Sequence, residues 1–105
     1  MSAVIVSKAL FQLGSIGMTP GVKELKDKKT LTNALLLKLI YRHQCGDWAD
    51  CYPEDAEANK QALIDGSRVF SVYNLNLELT LWIITEAEDD NGNRSNTTIL
   101  LPSEY

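Results

Sequence analysis

The spacing of apolar residues changes once along this chain, near Arg68, and the change limits the folds it can adopt. Before Arg68 apolar residues recur every three or four positions, which is the period of an amphipathic helix. After it they alternate with a period of two over three segments, beginning near Val69, Leu79 and Thr97. Short links join these segments, and the second contains Asn91-Gly92, a hairpin-turn signal. We therefore expect three antiparallel strands in a meander.

The first two thirds of the chain contain three segments with helix signals. Prolines mark two helix starts, and a leucine-rich apolar stripe marks the longest helix. Glycines follow the last two segments as stop signals. The predicted helices cover residues 20–26, 31–45 and 53–65, and residues 10–13 suit a short strand. The predicted fold class is α+β, with two or three helices packed on a three-stranded antiparallel meander sheet.

The length of 105 residues matches one domain with one hydrophobic core, so we expect a single α+β domain over residues 1–105. Alternation along the strands predicts which side chains face the helices. They are Val69 or Phe70, Leu81, Ile83, Ile99 and Leu101.

The charge of the chain bears on its partners and location. Fourteen acidic residues against ten basic ones give a net charge of −4, which disfavours binding to nucleic acid phosphates. No apolar run approaches the roughly 20 residues of a membrane span, and residues 1–10 lack the pattern of a signal peptide. We expect a cytoplasmic protein that has no membrane partner.

Residues 43–51 hold the densest group of reactive side chains, including His43, Cys45 and Cys51. Zinc sites usually pair cysteines at closer spacing and use four ligands, so we predict two reduced thiols and no metal site. Because His43 continues the apolar stripe of the second helix, we expect it at the border of the core and not as the base of a thiol nucleophile. We predict no catalytic residue and no cofactor.

A cluster of carboxylates follows, formed by Asp47, Asp50, Glu54 and Asp55. Paired acids can hydrolyse a substrate or bind magnesium, so a small metal-dependent hydrolase that uses Asp47, Asp50 and Glu54 is one alternative function. Acids at a helix start are also stabilised by the helix dipole, which accounts for Glu54 and Asp55 without any chemistry. A small-ligand-binding module with a pocket between helices and sheet is a second alternative.

Several short motifs together resemble a known family. They are Gly46-Asp47-Trp48 with Asp50; Glu54-Asp55 with Asn59, Ala62-Leu63, Gly66, Arg68, Phe70-Ser71 and Tyr73; Trp82 to Ala87; and Thr97 to Pro102 with Tyr105. This pattern resembles a family of small uncharacterised proteins carried on mobile genetic elements, namely plasmids, prophages and gene cassettes. The resemblance implies a bacterial accessory protein of a mobile element. Such proteins often bind and block host defence systems, so it implies a non-catalytic protein-binding module.

Both faces of the second strand are apolar, because Trp82 and Ile84 alternate with Leu81 and Ile83. One layer of helices covers one face only. We expect the other face to be buried by a protein partner, or else by residues 4–13.

The third strand, residues 96–101, is expected at an edge of the sheet, where a second copy would pair with it in a homodimer. The candidate interaction residues are Trp82, Ile84, Trp48 and Asp47. For the last two we also predict structural roles. Trp48 would seal the junction between two helices, and Asp47 would hold the turn after the second helix.

Overall fold

The computed structural model describes residues 9–105 of the chain, and it has an α+β fold. Three helices precede most of the sheet, as the change of period predicts. The elements are β1 (Ser15–Met18), α1 (Pro20–Asp27), α2 (Asn33–Gln44), α3 (Pro53–Asp65), β2 (Val69–Asn76), β3 (Leu79–Thr85) and β4 (Asn96–Leu100). A 3-10 turn, Pro102–Glu104, follows β4. Within residues 9–105 no helix is long and apolar enough to cross a membrane.

The helix boundaries follow from local chemistry. The hydroxyl of Thr32 accepts a hydrogen bond from the Leu35 N–H at 3.1 Å and so caps α2. At the start of α1 the carboxylate of Glu104, from the far end of the chain, accepts the N–H of Gly21 at 2.8 Å. Helix α3 ends at Gly66, whose φ of +79° is the left-handed conformation that glycine adopts without steric cost.

Within residues 9–105 the sheet has four strands in the order β1-β4-β3-β2, and this corrects the prediction of three. Strands β2, β3 and β4 are antiparallel neighbours, as predicted. Strand β1 adds a parallel pair beside β4, with Ile16 opposite Thr97. The predicted strand over residues 10–13 was wrong, because those residues lie outside the sheet and the strand begins at Ser15. Strand β1 is only four residues long and contains a glycine, so it has no clear alternation to detect.

The new strand changes which strands form the edges of the sheet. Because β1 pairs with one side of β4 and β3 with the other, β4 lies inside the sheet. The prediction that β4 forms an edge available to a second copy was therefore wrong. Among the described strands, β1 and β2 form the edges.

The hydrophobic core lies between one face of the sheet and the helices. Val69, Leu81, Ile83 and Ile99 are buried there as predicted, and Leu101 packs against them partly buried. The helices contribute mainly Val22, Leu36, Leu39 and Ile40. We call this the helix-covered face of the sheet.

The connection between β3 and β4 is wider than a two-residue hairpin turn. Gly92 has a φ of +77°, but Asn91 does not take the positive φ that a tight Asn-Gly turn requires. The carboxylate of Asp89 instead accepts the N–H groups of Asn91 and Asn93, at 2.9 and 3.0 Å. This bonding stabilises a broader loop.

Candidate functional site

The second face of the sheet, which we call the open face, carries the side chains that alternate with the core residues. They are Phe70, Val72, Trp82, Ile84, Thr98 and Leu100. Helices α1 and α2 pack on the helix-covered face, and α3 lies beside β2. Ile84 is only 5% exposed and Leu100 only 4%, so both are buried within a single chain. Ile84, a predicted interaction residue, therefore offers little surface to a partner.

Aromatic rings form a continuous row on the open face. The ring of Trp82 meets Phe70 edge to face with 4.9 Å between centroids, and it meets Tyr105 with 5.7 Å. These distances lie within the range of favourable aromatic pairs. Arg68 stacks over Tyr105 and donates a hydrogen bond to its hydroxyl at 2.8 Å. The three rings and Arg68 thus contact one another within a single chain.

A groove of about 470 Å³ runs beside this row, along the edge of the sheet at β2. Phe70, Val72 and Trp82 of the sheet line one side of it, and Asp50, Tyr52 and Asp55 line the other. A smaller cavity of about 250 Å³ continues it to Arg68 and Tyr105. We call the two together the aromatic groove.

The far side of the groove is anchored to the edge of β2. The side-chain amide of Asn59 pairs with both backbone groups of Phe70, at 2.6 and 2.9 Å. The carboxylate of Asp50 accepts the Asn74 N–H at 3.0 Å, and the Cys51 thiol lies 3.7 Å from the Phe70 carbonyl. Side chains thus occupy hydrogen-bonding positions that an edge strand would otherwise offer to another chain.

Asp47 and Trp48 lie outside the aromatic groove. The Asp47 carboxylate binds the Arg42 guanidinium at 2.6 Å, and this contact lowers the pKa of Asp47. The Asp47 carbonyl accepts the Tyr73 hydroxyl at 3.0 Å, which ties the loop after α2 to the sheet. Trp48 is 8% exposed and packs with Ala62 and Val69 in the core. Both residues occupy positions that fit the structural roles predicted for them.

Two of the three acids of the predicted hydrolase make contacts elsewhere in the chain, and the third is exposed. Asp47 is engaged by Arg42, Asp50 by the backbone of β2, and Glu54 is exposed on the first turn of α3. Within the described residues no three His, Cys, Asp or Glu side chains lie close enough together to hold a metal ion. The Cys51 thiol is half-buried, which raises its pKa and disfavours the reactive thiolate.

His43 is fully buried between α2 and the helix-covered face of the sheet. Each of its two ring nitrogens forms a hydrogen bond with a hydroxyl group of the sheet. The Leu13 carbonyl can only accept, so the Thr97 hydroxyl donates to it at 2.7 Å and accepts from Thr85 in turn. Thr85 then accepts the Nε2–H of His43 at 2.8 Å, and Nδ1 accepts from Ser71. Burial, with a smaller effect from the charge of Arg94, lowers the pKa of His43 to about 3. His43 is therefore a neutral, structural residue at physiological pH.

Sequence reasoning found Trp82 but missed the groove residues Tyr52 and Tyr105. Both tyrosines are largely exposed, at 76% and 69%. Their sequence positions could have identified them, because each is an aromatic residue that belongs to no apolar stripe of a helix or strand. Tyr52 comes just before the helix that begins at Pro53, and Tyr105 follows β4. Comparison with family models, with curated proteins and with solved structures finds no match to this chain.

Proposed function

We propose that this protein is a non-catalytic protein-binding module that binds its partner through the aromatic groove. The observation that carries the proposal is the row formed by Phe70, Trp82 and Tyr105 beside the exposed ring of Tyr52. Tryptophan and tyrosine are enriched among the residues that contribute most to protein interfaces, because they bury large area with few rotatable bonds.

A preformed surface favours such a role. The rings already contact one another and Arg68 already stacks on Tyr105, so binding orders few side chains. The backbone edge of β2 is occupied by Asn59 and Asp50. We therefore propose recognition by side chains in the groove and not by addition of a strand at this edge.

The biological setting that we propose comes from the family resemblance and not from the groove. In that setting the protein is a mobile-element accessory protein that acts in the bacterial cytoplasm. Its partner would be a component of a host defence system, which it inhibits by contact. A homodimer through the open face is the other form of the same contact proposal, since β4 is no longer available as an edge.

A small-ligand-binding module is the second candidate. The observation that favours it is the groove volume of about 470 Å³, since small-molecule sites measure about 300 to 1,000 Å³. The groove lies at the β2 edge of the open face, where Tyr52 and Asp55 at the start of α3 border it opposite the sheet. We do not propose the hydrolase, because Arg42 engages Asp47, the backbone of β2 engages Asp50, and no three acids of the described residues lie close enough together to hold a metal ion.

Photocrosslinking tests the leading proposal. Benzoylphenylalanine replaces Tyr52 in the groove or, as a matched control, the exposed Tyr41 on α2. Each protein is irradiated in a bacterial lysate that contains restriction and CRISPR systems. We expect a discrete adduct from position 52 only, and Trp82→Ala should abolish it. Equal adducts from both positions would contradict the proposal, and light scattering separates a homodimer from a foreign partner.

A further inference from the structure

We propose that the larger cavity of the aromatic groove binds a basic segment of the partner protein and holds one lysine or arginine side chain against Trp82, Phe70 and Asp55. This inference rests on the proposed function, and it adds the chemistry of the occupant. Two independent properties of the groove support it, namely its charge and its aromatic lining.

Among residues 9–105, the larger cavity of the groove is lined by two carboxylates, Asp50 and Asp55, and by no basic side chain. Arg68 lines the smaller cavity together with Asp55, Phe70 and Trp82, and there it donates a hydrogen bond to the Tyr105 hydroxyl. The chain as a whole carries a net charge of −4. An acidic or phosphorylated partner would meet repulsion here, whereas a basic partner is attracted both at a distance and in contact.

The aromatic lining favours a cation beyond simple charge attraction. Trp82, Phe70 and Tyr52 border the same space as the two carboxylates. A cation near an aromatic face is attracted by the ring quadrupole, most strongly for tryptophan. A purely apolar occupant would fill the groove but would remove water from the carboxylates and offer them no hydrogen-bond donor in its place. Such desolvation makes the free energy of binding less favourable.

Asp50, the second carboxylate of the groove, is held in place by a hydrogen bond within the chain. One of its oxygens accepts the Asn74 N–H at 3.0 Å, so the carboxylate is fixed to the edge of β2. A carboxylate has about four acceptor positions, so this bond leaves capacity for a donor from the partner. Asn74 in turn accepts a hydrogen bond from the Thr80 hydroxyl at 2.8 Å, which orders that end of the groove.

Two short peptides that differ in one atom group test the proposal. The first carries a central arginine flanked by alanines, and the second carries citrulline, which has the same shape but no charge. Binding is followed by NMR through the indole N–H of Trp82, which is assigned with Trp82→Phe. We expect the arginine peptide to bind about tenfold more tightly than the citrulline peptide, and this preference should shrink as salt is added.

Charge-removing variants test the same point in the protein. Asp55→Asn should weaken binding of the arginine peptide about three- to tenfold and leave the citrulline peptide unchanged. Glu57→Gln is the matched control, because Glu57 lies on the same helix, pairs with Lys60 and does not line the groove. It should bind both peptides as the unmodified protein does.

Three results would overturn the proposal. The first is equal binding of the two peptides, and the second is no shift of the Trp82 signal with either peptide at millimolar concentration. The third is free methylguanidine binding as tightly as the arginine peptide, which would assign the groove to a small cation. None of these contradicts protein binding as such, because crosslinking from position 52 tests that separately.

Discussion

Acidification from about pH 7 to about pH 5 should destabilise this protein through one residue, His43. It is the chain's only histidine, and its ring is buried between the hydroxyls of Ser71 and Thr85. Burial lowers its pKa in the folded state to about 3, whereas in an unfolded chain it is about 6.5. The unfolded state therefore takes up a proton first as pH falls. The stabilisation is complete above the unfolded pKa and is lost as pH falls towards the folded pKa.

The magnitude follows from the gap between the two pKa values. At about pH 5 the unfolded histidine is protonated and the folded one is not, so the loss is about 2 kcal/mol relative to pH 7. For a chain of this size that loss lowers the urea midpoint by about 1 to 2 M. Carboxylates with lowered pKa, such as Asp47, act in the same direction but mainly below about pH 5.

Urea unfolding at several pH values, followed by tryptophan fluorescence, measures this loss. His43→Gln is the control, since glutamine does not titrate in this range; the variant should be less stable at every pH but nearly flat between pH 7 and 5. The ring C–H signals of the folded protein provide a second measurement, and they should not move over this interval. A folded-state titration near pH 6.5, or a urea midpoint that stays constant in the unmodified protein, would refute the reasoning.

Three further substitutions have defined outcomes. Asn59→Ala leaves both backbone groups of Phe70 without their amide partner, so it should cost about 2 to 3 kcal/mol and favour oligomers in light scattering; an equally stable monomer would contradict this. Trp48→Ala should cost about 3 to 5 kcal/mol in urea unfolding, and an unchanged midpoint would show that its packing contributes little. Glu104→Gln should lower Tm at neutral pH. Because a hydrogen bond from Thr19 lowers the pKa of Glu104, the difference in Tm between the variant and the unmodified protein should vanish only in strong acid. A difference in Tm that does not change with pH would exclude the charge as its cause.

The sequence determined the parts of the fold that depend on neighbouring residues. The three- and four-residue spacing of Leu36, Leu39 and Ile40 predicted α2, and the structure buries all three. Thr32 caps the start of α2 with its hydroxyl, and Gly66 ends α3 because it adopts a positive φ. Both signals depend only on the residue type and its place beside a helix, so they can be recognised in the sequence. Alternation after Arg68 likewise predicted three strands, because successive side chains of a strand point to opposite faces.

The tertiary structure alone decided the sheet edges and the groove. Strand β1 pairs with β4 across some 80 intervening residues. Its four residues are too few to show the alternation of apolar and polar side chains that would predict a strand. In the groove Asp50, Tyr52 and Asp55 lie beside Trp82. The first three residues come from the loop before α3 and from its first turn, whereas Trp82 comes from β3, far away in the sequence. Propensity and periodicity depend on residues within a few positions of one another. Strand order and a shared cavity depend instead on which distant surfaces bury each other best, and that is settled only when the whole chain packs.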